Sequence, residues 1–263
     1  WSGGVPSRWQ RKEGIFLQDV YPQFGITSER PQPASGRGSS VMLHEGMGGF
    51  GFDPRAHLTE ESKLLTPGNK RRLFKQWARF WDLSLPVLIE KSPPNLIFSR
   101  FLQAAFPTAR FVFIRRHPVA VALALQKWKC CWHLTVAQLV AHCPSPPCRV
   151  QCHTLHRQDA GLLLHSKTYH FEDFVLRPQE VAEEVWGWVG VPAPPGTHLK
   201  KDIRTDTNEK YEREYAAWRA ESTGNEKAHR TMVATHGAAV RELGYELEGP
   251  GSQKCIRATR AAR

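Results

Sequence analysis

The chain has 263 residues, with 36 Lys plus Arg against 25 Asp plus Glu and a formal charge of +11. Hydrophobic residues at 41% and charged residues at 23% exclude wholesale disorder, and the length fits one large domain or two small ones at roughly 100–200 residues each. No run approaches the about 18 consecutive apolar residues of a membrane-spanning helix.

In chain order, residues 1–60 are rich in Gly, Pro and Ser, and Gly46 to Phe52 are the most glycine-dense. These glycines follow no strand and carry no Lys-Ser/Thr pair, so they read as connection rather than as a phosphate loop. A helical pattern over Thr59 to Trp81 carries Leu64, Leu65, Leu73, Phe74, Trp77 and Trp81, and Pro67-Gly68 is expected to split it into two helices. Pro86 to Glu90 (PVLIE) is a short apolar run fit for a buried strand, and Lys91 to Asn95 is a turn with prolines at a helix start. Leu96, Phe98, Phe101, Leu102 and Phe106 repeat at helical spacing. Ala109 to Ile114 is a second strand without polar alternation, as in buried parallel sheets. Arg115-Arg116-His117-Pro118 turns into a helix over Val119 to Trp128. Strand, turn, helix, twice over, predicts βα units of an α/β fold with a parallel sheet.

Beyond Lys129 the pattern is less regular. Thr135 to Ala141 reads as helical, and five of the six cysteines (Cys130, Cys131, Cys143, Cys148, Cys152) fall close together near His142, His153 and His156. Zinc is the tempting reading of thiolates beside imidazoles, but the spacing matches no paired knuckle and Pro144, Pro146 and Pro147 interrupt it, so an irregular insertion is expected and no metal. Ser166 to Phe171 reads as a strand, Glu172-Asp173-Phe174 as a helical turn, and Pro178 to Val189 as a helix stopped by Gly190. Thr207 to Trp218 and Glu226 to Leu243 are amphipathic, the second stopped by Gly244. Residues 249–263 hold Lys254, Arg257, Arg260 and Arg263 with no acid and are expected to form a disordered basic tail.

Both good strands end in cations just before a helix: Glu90-Lys91-Ser92, then Arg115-Arg116-His117. In open parallel sheets ligands bind at the carboxyl ends of strands, where helix N-termini present free N–H groups. An anion there meets a dipole, backbone donors and a cation together. The arginines suit a phosphate fork, whereas Lys91 is a movable point charge suited to charge developing on a bridging oxygen.

On these residues a resemblance rests. Glu90 to Trp128 (EKSPPNLIFSRFLQAAFPTARFVFIRRHPVAVALALQKW) resembles the core of the PAPS-dependent sulfotransferases, where a strand ends in an Arg that binds the nucleotide 3′-phosphate. Lys12 to Pro22 (KEGIFLQDVYP) is similar to the segment after the phosphosulfate loop in algal and bacterial members. Tyr169 to Pro192 resembles the family's Tyr-x-x-Glu-Asp-Leu stretch, and Thr207 to Tyr211 with His236 to Leu247 resemble its last helices.

The resemblance implies a three-layer P-loop-like parallel sheet flanked by helices, spanning residues 1–248, and transfer of a sulfuryl group from 3′-phosphoadenylyl sulfate (PAPS) to a hydroxyl or amine acceptor without a metal. It assigns the 3′-phosphate to Arg116 with Arg115 as substitute, the sulfuryl centre to Lys91 with Ser92, and the nucleotide border to Tyr169 and Glu172. Glu13 takes the place of the acceptor base, with Glu90 and His44 as rivals. The family's serine eight residues after Arg116 is Ala124 here, and the Gly-x-Pro-Arg-Ser-Gly-Thr-Thr loop is not found ahead of Glu13. With Trp1 in first place, the expectation is a fragment lacking its first strand and inactive alone. The acceptor is left open among carbohydrate, protein and small alcohols. A P-loop-related kinase would need a Gly-Lys-Ser/Thr loop, and a non-enzymatic polyanion binder would be expected to interleave aromatic and basic residues.

Overall fold

A computed structural model describes residues 13–21, 57–126, 156, 158–192 and 207–247. His44, the glycines at 46–52, the helical stretch expected at 135–141, the cysteine cluster and the basic tail lie outside the described residues. The architecture is mixed α/β, with a small parallel sheet of two strands and several helices. Among the described residues no helix is long and apolar enough to cross a membrane. The chain divides into two units.

The first unit takes residues 1–111, 151–166 and 189–191. A 3-10 turn at Gly14–Leu17 follows Glu13. Helix α1, Pro67–Ala78, begins where the sequence dictates: Pro67 sits in the first turn, where its missing N–H costs nothing, and the Thr66 hydroxyl accepts from Asn69 N at 3.2 Å. Leu73 and Trp77, four residues apart, turn its buried stripe inward. Helix α2, Asn95–Ala105, buries Ile97, Phe98, Phe101 and Leu102. With Ile15, Val20 and Tyr21 these form one core, in which Tyr21 meets Phe98 and Phe101 edge-on at 5.3 and 5.6 Å. Each fully buried side chain of this size contributes roughly 1.5–3 kcal/mol.

Two expectations are corrected here. Only one helix forms between Thr59 and Trp81. Residues 59–65 make turns instead, because the Thr59 and Ser62 hydroxyls accept from Glu61 N and Leu64 N, and the residue before Pro67 is extended. Residues 87–90 run without helical or strand pairing and join no strand among the described residues. The Ile89 carbonyl accepts from the Trp81 indole at 3.0 Å, and the Ile89 side chain is 63% exposed.

The second unit takes residues 112–150, 167–188 and 192–263. Strands β1 (Phe111–Arg115) and β2 (Ser166–His170) pair as the sheet. Helix α3 is Pro118–Gln126, α4 Phe171–Leu176 and α5 Pro178–Val189. Helix α6, Thr207–Glu221, buries Tyr211, Tyr215 and Trp218 at spacings of four and three. Helix α7, Thr223–Glu242, is capped by the Ser222 hydroxyl, which accepts from Asn225 N at 3.1 Å. It ends before Gly244, whose φ of +86° is the left-handed conformation glycine tolerates, and a Cβ there would lie 2.9 Å from the His170 ring. Helices α3, α6 and α7 share a core of Val119, Leu123, Tyr215, Met232 and Val240, against which Ala124 packs.

Candidate functional site

In the first unit the turn after residue 90 is built around one carboxylate. Glu90 accepts from Gly14 N at 2.8 Å, from the Ser92 hydroxyl at 2.5 Å and from the Asn95 amide. Burial pushes the Glu90 carboxyl above the usual carboxylate range, and these three donors pull the other way. Gly14 is needed for this approach, since a Cβ on it would stand 2.5 Å from Glu90 Cγ. Ser92 is itself buried, and its oxygen also accepts from Ile15 N at 3.1 Å. Trp77 Nε1 donates to Gly14 O at 2.9 Å.

This bracing brings Glu13 and Lys91 together although 78 residues separate them: Lys91 Nζ donates to Glu13 Oε1 at 2.5 Å. Lys91 is 72% exposed and Glu13 22%. An exposed cation and a part-buried carboxylate thus share one spot, a pairing fit for proton transfer beside developing negative charge.

In the second unit the residue after β1 is the centre. The Arg116 guanidinium lies over the Phe171 ring at 4.3 Å and faces Tyr211 at 5.3 Å. Its Nε and Nη2 both donate to Asn208 Oδ1, at 3.1 and 2.8 Å. Among the described residues no carboxylate forms an ion pair with it, so a part-buried cation is gripped by a neutral amide and two aromatic faces. Burial lowers the Arg116 pKa from its ordinary value, while Tyr211, Glu172 and Tyr245 act in the opposite sense.

Glu172 organises this grip from behind. Its Oε1 accepts from the Asn208 amide at 2.7 Å and from His117 N at 3.2 Å, and its Oε2 accepts from the Tyr245 hydroxyl at 2.6 Å. His117 is buried; its Nδ1 accepts from Val119 N at 3.2 Å, which leaves Nε2–H to donate to the Glu246 carbonyl at 2.7 Å. That neutral tautomer caps α3, and burial holds the imidazole below its ordinary pKa.

Of the residues expected from sequence, Glu13, Lys91 and Ser92 therefore cluster in one unit, and Arg116 and Glu172 in the other. Arg115 ends β1, half-buried. Tyr169 is two residues along β2 from Lys167, whose ammonium bonds Glu184 at 2.6 Å, and burial, followed by the Glu184 charge, holds its phenol above the ordinary value. Asn208 and Phe171 hold Arg116, and Tyr245 steadies Glu172 behind them. Their only sequence signal was position in segments of family resemblance.

Residues 40–195 match the sulfotransferase family. The chain belongs to the sulfotransferase family. The matched stretch contains Lys91, Ser92, Arg115, Arg116, Tyr169 and Glu172, whereas Glu13, Asn208 and Tyr245 fall outside it. No curated protein and no solved structure matches the chain. Membership in this sulfotransferase family supports sulfuryl transfer in general terms.

Proposed function

We propose that the chain uses PAPS as donor and transfers its sulfuryl group to a hydroxyl or amine acceptor, on a three-layer P-loop-like parallel sheet. The observation that carries this reading is Arg116: a cation at the carboxyl end of a strand, clamped at 2.8 and 3.1 Å by a neutral amide, with no ion-pair partner among the described residues. Such an arginine is set for an external dianion, and the 3′-phosphate of PAPS is one. Arg115 stands beside it as a second cation.

In the chemical step the acceptor oxygen attacks sulfur in line and the bond from sulfur to the phosphate oxygen breaks. Lys91 takes up the negative charge on that leaving oxygen, and Glu13 accepts the acceptor proton. Products are the sulfated acceptor and 3′,5′-adenosine bisphosphate. Ser92 and Glu90 serve by holding the turn that carries Lys91, and Glu172 by holding Asn208; Tyr169 borders the nucleotide in this reading. The test is calorimetry of 3′,5′-adenosine bisphosphate with the chain and with Arg116→Ala. Wild-type binding that the variant loses supports the assignment, and equal binding removes it.

A further inference from the structure

The outward face of α1 carries charge that the fold does not use. Its sequence holds Lys70, Arg71, Arg72 and Lys75, and Arg79 caps it, with no acidic residue in its first turn. Two of these cations have internal work: Lys70 Nζ donates to Ala104 O at 2.6 Å, and Arg72 pairs with Asp19. Arg71, Lys75 and Arg79 are exposed and have no carboxylate partner among the described residues. They line a shallow groove with Gly68, Arg72 and Gln76.

Lys75 in the last turn and Arg79 at the C-cap sit at the negative end of the helix dipole, which favours each of them singly. Like charges at i and i+4 nevertheless repel, so Arg71, Lys75 and Arg79 weaken one another. Repulsion that no carboxylate among the described residues relieves marks a surface suited to an anionic partner outside the fold. The three cations follow one another at steps of four residues, about 6 Å along the axis. Side chains on one side of an extended polypeptide recur at about 6.6–6.8 Å. The lining of the groove includes no aromatic residue on which a base could stack, and two of its three cations without a carboxylate partner among the described residues are arginines, whose forks match carboxylates as well as phosphates.

We propose that this face of α1 is a docking surface for an extended polypeptide segment with acidic residues at alternate positions. The proposal goes beyond the sulfotransferase reading and stands independently of it.

Fluorescence anisotropy of a labelled alternating Glu-Gly peptide tests it on the full chain at about 50 mM salt, where exposed charges are weakly screened. The triple variant Arg71→Ala, Lys75→Ala, Arg79→Ala is expected to bind about tenfold more weakly, as three exposed contacts would give. A control variant with the same charge change elsewhere (Lys210→Ala, Arg213→Ala, Lys227→Ala) is expected to bind like wild type, and circular dichroism melting checks that both are folded. Equal loss in the two variants, or no peptide binding by wild type, overturns the proposal. So does an oligothymidylate or a polyuronate that binds through the α1 residues more tightly than the peptide.

Discussion

Replacing Asn208 by Asp changes one atom and tests the logic of the Arg116 grip. In the native chain Asn208 Oδ1 holds Nε and Nη2 of Arg116 at 3.1 and 2.8 Å without neutralising them, while its Nδ2 bonds Glu172 at 2.7 Å. Asn208→Asp puts a negative charge on the same edge of the guanidinium and removes the donor to Glu172. A phosphate on the opposite edge would then lie about 6 Å from the new carboxylate, one guanidinium and two hydrogen bonds away. At an effective dielectric of about 20 a pair of unit charges at that distance repels by about 3 kcal/mol. Salt at a half-open site reduces this to about 2 kcal/mol, or about a 30-fold loss of affinity. Calorimetry with 3′,5′-adenosine bisphosphate reads the change directly, and a thermal melt confirms that the variant is folded. A folded variant that binds within about twofold of wild type would refute the idea that Arg116 is kept uncompensated for an external anion.

Three other outcomes follow from the same geometry. Gly14→Ala drives a Cβ to 2.5 Å from Glu90, so the Gly14, Ser92 and Asn95 bonds to that carboxylate cannot all persist, and the melting free energy should drop by about 1–3 kcal/mol. Lys91→Ala and Glu13→Gln should each lower sulfuryl-transfer turnover by at least about 100-fold, yet shift stability by under about 1 kcal/mol, because their ion pair is exposed on the lysine side; turnover and urea unfolding separate the two. His117 has a folded pKa below its ordinary value, so the unfolded chain binds more protons. Its contribution is full above about pH 6.5, falls as the pH drops from there to the folded pKa, and is level below it. Urea unfolding at pH 7.5 and pH 5 should therefore show a larger loss for wild type than for His117→Asn, which keeps a capping side chain without the titration.

Local order was written in the sequence wherever one element could satisfy its own rules. The spacing of Leu73, Trp77 and Trp81 after Pro67-Gly68 announced α1, the apolar spacing announced α2, and the FVFI run announced β1. Residues 86–90 have the composition of a strand, but a strand exists only with a partner, and composition does not supply one. The site was legible to the same extent. Lys91 and Arg116 could be marked as cations just before a helix, although among the described residues only Arg116 follows a strand. That Glu13 meets Lys91 over 78 positions, that Asn208 reaches Arg116 over 92, and that Tyr245 reaches Glu172 over 73 are tertiary facts with no local signature. Tyr169 lies two residues along β2 from Lys167 and near Glu184, a neighbourhood that the motif alone does not reveal.

The hydroxyl of Tyr245, donated to Glu172 at 2.6 Å, has a practical consequence for anyone choosing where to cut this protein. A clone ended at the last residue of α7 would keep every position of the family match and both cationic turns. It would also discard one of the three donors that steady the Glu172 carboxylate, together with the carbonyl that receives the His117 imidazole. Such a clone would carry a slack Arg116, so a test of the proposed nucleotide site made on it would not speak for a chain that keeps residues 243–247.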